Sequence, residues 1–200
     1  MVFFERFKSY WKMSGKSKYL FTSARLGFRS WLLSDLGWLA EMNANTQVMR
    51  YFPGIQTREE SAGFIQRMRD MNEERNYCYW PVELLDSGES IGFVGLAYQT
   101  YEAHFNPATD IGWRLMPGYW GKGLASEAAA SCLSYAFNNL SIKEIVSVAP
   151  RSNIPSLAVM RKIGMKREGS FQHPALSLYP ELVDCEVYRI RKEEFDHGRP

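Results

Sequence analysis

A glycine-rich segment from Pro117 to Ala125 has the residue types and spacing of an anion-binding site. It places Gly121 and Gly123 on either side of Lys122, where a predicted strand passes into a predicted helix. Glycines at such a junction let phosphate oxygens approach backbone N–H groups that no side chain screens. The helix dipole and the Lys122 ammonium would add attraction. The segment therefore predicts a pyrophosphate-binding loop rather than an ordinary glycine-rich turn with Lys122 in solvent.

Two familiar nucleotide-binding motifs do not fit this loop. A Walker A loop requires Ser or Thr directly after Gly-Lys, and this sequence has Gly123 there. A Rossmann fingerprint requires a third glycine or alanine where Ser126 stands, within a βαβ unit. The Walker A loop is therefore excluded, and the elements upstream of the glycine-rich segment argue against the Rossmann fingerprint.

Those upstream elements read as three antiparallel strands. Apolar, aromatic-rich runs extend over Cys78 to Leu85, Ile91 to Tyr98 and Thr109 to Met116, and Asp86-Ser87-Gly88 forms a turn between the first two. Small residues on one side of Gly123 to Phe137 then predict a helix that packs closely on a sheet.

The remaining elements follow from alternation and capping signals. Ser23 to Leu33 alternates as a first strand, Ser34-Asp35 precedes one helix, and Thr57-Arg58-Glu59-Glu60 matches a capping box before another, with a Pro53-Gly54 turn between them. Beyond the glycine loop we expect the elements Glu144 to Ala149 (strand), Asn153 to Ile163 (helix ended by Gly164), Met165 to Phe171 (strand) and Val183 to Ile190 (strand).

This order predicts an α+β (mixed α/β) fold with a mostly antiparallel mixed sheet, helices on its faces and one parallel crossover. With 200 residues, of which 46% are hydrophobic, we expect one domain over 23–192, an extension over 1–22 and a tail over 193–200.

Composition narrows the class of protein. The 24 basic and 22 acidic residues leave a net charge of +2, so the concentrated basic surface of a nucleic-acid-binding protein is not expected. Cys78, Cys132 and Cys185 are widely separated, which favours free buried thiols over disulfides or a metal site. No run approaches the roughly 18 apolar residues of a membrane span, and no cleavable signal is evident. We expect a soluble, cytoplasmic protein without a metal.

The N-terminal extension has a pattern of its own. Aromatic residues recur at helical spacing with basic residues between them: Phe3, Phe4, Phe7, Tyr10 and Trp11. The pattern favours a helix that covers the domain's own core, and binding to a membrane surface or a partner is the alternative.

Two blocks resemble a known family. Asp110 to Pro117 followed by Tyr119 to Ala128 closely resembles the acyl-CoA-binding motif of the GNAT superfamily of N-acetyltransferases. The spacing of Asn153, Ser156 and Gly164-Met165 is similar to the following motif, in the version of the branch that contains the ribosomal-protein alanine N-acetyltransferases. The resemblance covers about Arg25 to Ile190 and implies a three-layer GNAT-like fold with acetyl-CoA as co-substrate.

The resemblance also implies where acetyl-CoA would bind. It places the cofactor in a V-shaped opening between the strand over Asp110 to Met116 and the strand over Ile145 to Ala149. Backbone N–H groups near Leu115 and Met116 would bind the oxyanion, and Asn153 would lie near the pantetheine arm, with simple helix capping as its alternative role. The pyrophosphate would be surrounded by Gly121, Lys122, Gly123, Leu124 and Ala125.

For catalysis the acceptor amine would attack the thioester directly, with Asp110 as the candidate base acting through water. The alternative for Asp110 is an exposed aspartate at the start of a strand, and Glu127 is expected to complement the helix dipole. The position where many members have an acidic tyrosine is Met160. Ser156, one turn earlier, could hydrogen-bond the departing sulfur or only satisfy the helix start.

The acceptor expected first is a protein or peptide N-terminal α-amine. A polyamine or aminoglycoside is the alternative substrate, and a non-catalytic acyl-CoA-binding domain is the alternative function. The acceptor pocket is expected from Trp38 to Phe52, Thr57 to Arg75 and the loop between Phe171 and Pro180. Exposed strand edges or the N-terminal aromatic residues could support a homodimer.

Overall fold

The computed structural model describes residues 17–197, so the predicted N-terminal aromatic helix lies outside the described residues. The strands are β1 (Phe21–Thr22), β2 (Leu26–Phe28), β3 (Tyr79–Leu84), β4 (Ser90–Gln99), β5 (Ala108–Leu115), β6 (Glu144–Pro150), β7 (Lys166–Gln172) and β8 (Asp184–Arg191). The helices are α1 (Leu36–Asn43), α2 (Arg58–Arg75), α3 (Leu124–Asn139), α4 (Ile154–Lys162) and α5 (Lys192–His197). No described helix is long and apolar enough to cross a membrane.

The eight strands form one mixed sheet in the order β1-β2-β3-β4-β5-β6-β8-β7. Strands β3 to β5 pair as the predicted antiparallel meander, and β2 pairs antiparallel with β3. β5 and β6 are parallel, and α3 forms the crossover between them. The predicted α+β architecture with one parallel connection is confirmed.

The predicted first strand is too long. Pairing with β3 covers Leu26 to Phe28, whereas the sequence pattern extends from Ser23 to Leu33. Beyond Phe28, the Arg29 N–H still bonds the Pro81 carbonyl at 3.3 Å, but Pro81 has no N–H to return the bond. The chain then turns into a short 3-10 helix over Leu33–Asp35, which begins with Leu33 exposed.

Helices cover both faces of the sheet. Consecutive strand residues point to opposite faces, and Tyr79 and Trp80 show which helices lie on each. The Tyr79 ring stacks on Phe93, which in turn contacts Phe64 of α2. Trp80 contacts Tyr135 of α3 edge to face. Helix α2 thus covers the Phe93 face, and α3 covers the opposite one.

A buried ion network fixes the connection from β2 to α1. The Arg29 guanidinium bonds both oxygens of Asp35 at 2.7 Å and one oxygen of Glu83 at 2.6 Å. Burial alone would lower the Arg29 pKa, but these two carboxylates raise it above its usual value. Because each charge has a partner, the network can be buried without leaving an isolated ion.

Several local predictions are confirmed. Thr57 and Glu60 form the reciprocal capping box at the start of α2. Gly164, with φ +86°, follows the end of α4. Cys78, Cys132 and Cys185 are free and buried.

Candidate active site

The parallel strands β5 and β6 separate from each other near the middle of the sheet. The two strands are paired at a single position, where Asp110 of β5 lies beside Val146 of β6. One residue further along both strands, the Ser147 hydroxyl donates to the Ile111 carbonyl at 2.9 Å. At this position a side chain, and not a backbone N–H, makes the hydrogen bond between the strands. The second half of β5 therefore borders the V-shaped opening that the sequence motif predicts.

The backbone N–H and C=O groups of β5 alternate in direction along the strand, and this shows which of them face the opening. The Met116 N–H donates to the Ile91 carbonyl of the antiparallel neighbour at 2.9 Å. Successive residues of a strand direct their polar groups to opposite edges, so Trp113 and Leu115 face β6. Of the two N–H groups expected near the oxyanion, that of Met116 is used within the sheet. The Leu115 N–H is left as the candidate.

The glycine loop follows directly and is shaped by local bonds. A short 3-10 helix spans Pro117–Tyr119, and the Trp120 indole N–H bonds the Leu115 carbonyl at 2.8 Å. Gly121 and Gly123 have φ values of +70° and +76°, in the left-handed region that favours glycine. No side chain caps the start of α3. Its first N–H groups, which a helix leaves without internal partners, are consequently available to an anion.

Ser23 and Arg25, from the N-terminal end of the domain, form hydrogen bonds that hold this loop in place. Arg25 donates from Nε to Glu127 at 2.7 Å and from Nη2 to the Lys122 carbonyl at 3.2 Å. The Ser23 hydroxyl donates to the same carboxylate at 2.6 Å. Partial burial would raise the Glu127 pKa, but these hydrogen bonds lower it below its usual value. The geometry agrees with the expected structural role of Glu127.

The start of α4 lies at the end of β6, on the other side of the opening. Asn153 caps this helix, accepting from the Ser156 N–H at 3.2 Å and thereby confirming the capping role. Its amide nitrogen is not needed for the cap. Ser156 is partly exposed in the first turn, whereas Met160 is buried in the core. The helix position that many family members give to an acidic tyrosine is thus a buried methionine, and Ser156 provides a hydroxyl one turn earlier in the same helix.

Asp110 is not an exposed aspartate at the start of its strand. It is partly buried in β5, where its carboxylate accepts from the Tyr79 hydroxyl at 2.6 Å and from the Gln99 amide at 3.2 Å. Burial raises the pKa of Asp110 to about 6, although both hydrogen bonds oppose the rise. A carboxylate with such a pKa can accept a proton near neutral pH. Neither Tyr79 nor Gln99 was predicted from the sequence.

Aromatic residues lie beside Asp110 on the same face of the sheet. Val146, its register partner, belongs to an apolar cluster with Phe105 and Phe171. Tyr101 contacts the His173 ring at 4.4 Å between centroids. The start of the loop after Phe171 therefore lies beside this aromatic cluster.

Arg114 lies on the same face of β5 as Asp110, towards α1. It donates from Nη1 to the Asn43 side chain at 2.6 Å, and its guanidinium lies 4.1 Å from the centre of the Phe52 ring. Asn43 and Phe52 both fall within the stretch from Trp38 to Phe52 expected at the acceptor pocket. Sequence reasoning assigned Arg114 no role, since an arginine in an alternating strand is ordinarily solvent-facing.

Comparison with known proteins gives a consistent assignment. The family model described as "Acetyltransferase (GNAT) domain" matches residues 25–166. The uncharacterized N-acetyltransferase YnaD of Bacillus subtilis (strain 168) is 34% identical over 176 residues, which cover 88% of this chain and 98% of YnaD. The spermidine N(1)-acetyltransferase of Escherichia coli (strain K12) is 28% identical over 142 residues, covering 70% of this chain and 72% of that enzyme.

Solved structures show the same architecture. An acetyltransferase (GNAT family) from Bacillus anthracis has a TM-score of 0.72 and 29% identity, covering 86% of this chain and 98% of its own. The ribosomal L7/L12 α-N-protein acetyltransferase RimL, in complex with CoA, shares the fold at 19% identity and a TM-score of 0.69, covering 86% and 97%. A strand pair that separates beside a glycine loop, a family model across most of the chain and full-length relatives agree: the chain belongs to the GNAT family of acetyltransferases.

Proposed function

We propose that this acetyltransferase binds acetyl-CoA between β5 and β6 and transfers the acetyl group to an α-amine, first of all the N-terminus of a protein or peptide. The observation that carries the proposal is Asp110, a partly buried carboxylate with a pKa of about 6 at the point where the two strands separate. It places a base suited to neutral pH at the start of the opening in which the thioester would lie.

In this proposal the cofactor is held mainly by backbone groups. The pyrophosphate lies at the start of α3, against the N–H groups of Leu124 and Ala125, with Gly121 and Gly123 leaving room and Lys122 adding charge. The pantetheine pairs with the β5 edge that faces the opening, and the Asn153 amide nitrogen donates to it.

The chemistry then requires positioning and one proton acceptor. The amine attacks the thioester carbonyl, a C–N bond forms, and the C–S bond breaks to release CoA thiolate. The Leu115 N–H stabilises the tetrahedral oxyanion, and Asp110, about 16 Å away between Cα atoms at strand rise, accepts the amine proton through a chain of water molecules. Ser156 donates a hydrogen bond to the departing sulfur. Since a thiol has a pKa near 8.5, it leaves without full protonation, and a buried Met160 does not prevent turnover.

An α-amine suits this site better than an alkylamine. Its pKa is near 8, against about 10 for a lysine-like amine, so a larger fraction is neutral and nucleophilic at pH 7. A polyamine or aminoglycoside would favour a wall of carboxylates. Asp110, the carboxylate at the point where the strands separate, shares its face of β5 with the cationic Arg114.

The test is release of CoA thiol from acetyl-CoA with three sets of acceptors: peptides with free N-termini, polyamines and aminoglycosides. We expect turnover with the peptides and a much lower kcat/KM with the other two sets. The named activity of the Escherichia coli relative makes spermidine the second candidate. Turnover with spermidine alone would transfer the proposal to that class, and cofactor binding without thiol release in any set would contradict catalysis on all three.

A further inference from the structure

Two arginines of the described residues have opposite environments, and the difference identifies a ligand group: Arg29 is buried, and Arg114 is partly buried with its Nε atom enclosed. Arg29 has two carboxylate partners, Asp35 and Glu83. Among the described residues, no carboxylate lies within 4 Å of the Arg114 guanidinium, which donates instead to the neutral Asn43. The Arg114 Nε atom is buried and has no hydrogen-bond partner within that part of the chain.

A guanidinium in such surroundings lowers the stability of the fold unless an anion binds to it. A partly buried guanidinium without a counter-ion loses part of its hydration and gains little in return. Burial accordingly lowers the Arg114 pKa to about 10, whereas the Arg29 pKa is raised by its carboxylates. The aromatic faces of Phe52 and Phe93, at 4.1 and 5.2 Å, provide partial compensation through cation–π contacts.

The guanidinium is also held in a fixed position. Asn43 is completely buried and accepts from Arg114 through Oδ1 at 2.6 Å while donating from Nδ2 to the Ser61 hydroxyl at 3.0 Å. Ser61 in turn donates to the Thr57 carbonyl at 2.9 Å. These partners are neutral, so they orient Arg114 without cancelling its charge. Such preorganisation is typical of a group that binds a ligand.

Arg114 lies within reach of the proposed reaction centre. It follows Asp110 by four residues on one face of β5, a separation of about 13 Å between Cα atoms at strand rise. The next residue is Leu115, whose N–H is the candidate oxyanion donor. An acceptor whose amine lies at the thioester would therefore place its neighbouring substituents close to this guanidinium.

The geometry points to a carboxylate-binding subsite at Arg114: the acceptor carries a carboxylate near its reactive amine, and the guanidinium binds it. This inference rests on the proposed function and specifies its substrate class. A carboxylate is the ordinary partner of an arginine side chain and would supply the missing charge at the accessible part of the guanidinium. Two sources have this chemistry, namely the α-carboxylate of a free amino acid and the acidic side chain of an N-terminal Asp or Glu.

The test measures binding to the enzyme–CoA complex by calorimetry, with turnover measured separately. Two matched ligand pairs distinguish the sources: phenylalanine against phenylalanine amide, and a peptide beginning with Asp against the same peptide beginning with Asn. We expect the carboxylate member of one pair to bind about 10- to 100-fold more tightly, in the range of a charge-assisted hydrogen bond. Arg114→Gln should remove that preference, and Arg114→Lys, which keeps charge but loses the guanidinium, should keep part of it.

The controls separate this subsite from folding and from the cofactor. Arg67→Gln changes an exposed arginine of α2 and should leave the preference intact. Arg114→Gln should bind CoA normally, because the contacts of Arg114 with Asn43, Phe52 and Phe93 lie outside the glycine loop, and thermal unfolding checks that the variant is folded. Equal affinity within both pairs, absence of binding by every carboxylate ligand, or a preference that survives Arg114→Gln would each overturn the subsite. Absence of turnover despite a preference that depends on Arg114 would instead contradict the proposed reaction.

Discussion

The two halves of the candidate site are built differently. On the proposed cofactor side, the glycine loop and the open edge of β5 offer mainly backbone N–H groups, which adjacent residues in the sequence provide. On the proposed acceptor side, Asp110 and Arg114 depend on side chains from other elements: Tyr79 from β3, Gln99 from β4 and Asn43 from α1. A site made of backbone can be predicted from a short motif, whereas a site made of dispersed side chains requires the fold.

This contrast predicts how each half responds to substitution. A change on the cofactor side should alter binding of acetyl-CoA and thereby all activities together. A change on the acceptor side should spare cofactor binding and alter the rate, its pH dependence or the choice of amine.

The largest effect is expected from Gly123→Asp. A side chain at φ +76° strains the backbone by about 1–2 kcal/mol, and its carboxylate would repel the pyrophosphate by about 4 kcal/mol at 4 Å near a protein surface. We expect acetyl-CoA affinity, measured by calorimetry, to fall by roughly 100-fold or more. Gly54→Asp, in an exposed turn with no atoms near an added Cβ, is the matched control and should bind normally. Normal binding by Gly123→Asp would place the pyrophosphate elsewhere.

Asp110→Asn should lower kcat by about 100-fold, the usual contribution of a positioned base, while acetyl-CoA binding is unchanged. In the wild type, kcat should rise as pH increases through about 6, because Asp110 becomes an acceptor when it loses its proton. The variant should lack this acidic limb. A pH profile of kcat with a peptide acceptor measures both effects.

Two controls separate loss of the base from loss of the fold in Asp110→Asn. Because the folded pKa of Asp110 is raised, its ionisation costs stability as pH rises through the window from about 4 to 6. Asp110→Asn should thus be no less stable than the wild type at pH 7.5. Glu127→Gln removes a carboxylate held by Arg25 and should keep the acidic limb. An unchanged rate in Asp110→Asn would remove Asp110 from the mechanism.

Features formed by residues close together in the sequence were predicted, whereas contacts between residues far apart in the sequence were not. The capping box at Thr57 and the glycine after α4 were predicted because their partners lie within four residues along the chain. The contact of Tyr79 with Asp110 spans 31 positions and that of Asn43 with Arg114 spans 71, so no local pattern contains them. The first strand was extended too far because alternation does not reveal that the partner is a proline.

A smaller effect, on pH dependence, is expected from Tyr79→Phe. The Tyr79 hydroxyl donates to Asp110 and so stabilises its ionised form, which opposes the rise in pKa caused by burial. Without this bond the acidic limb of kcat should move to higher pH by roughly one unit. Tyr77→Phe is the matched control, since that hydroxyl bonds Thr109, the residue before Asp110. A limb that moves equally in both variants would show a general change in the pocket.

The smallest effect is expected from Ser156→Ala, which tests the proposed bond to the departing sulfur. The cap of α4 uses the Ser156 backbone N–H, so alanine preserves it and removes the hydroxyl alone. We expect kcat to fall by up to about 10-fold, as for one lost hydrogen bond, with unchanged acetyl-CoA affinity and thermal stability. Ser152→Ala, in the exposed turn before the helix, should have no effect. An unchanged kcat in Ser156→Ala would assign the hydroxyl to the helix start, and thiolate would then leave without a side-chain donor, as the low pKa of thiols permits.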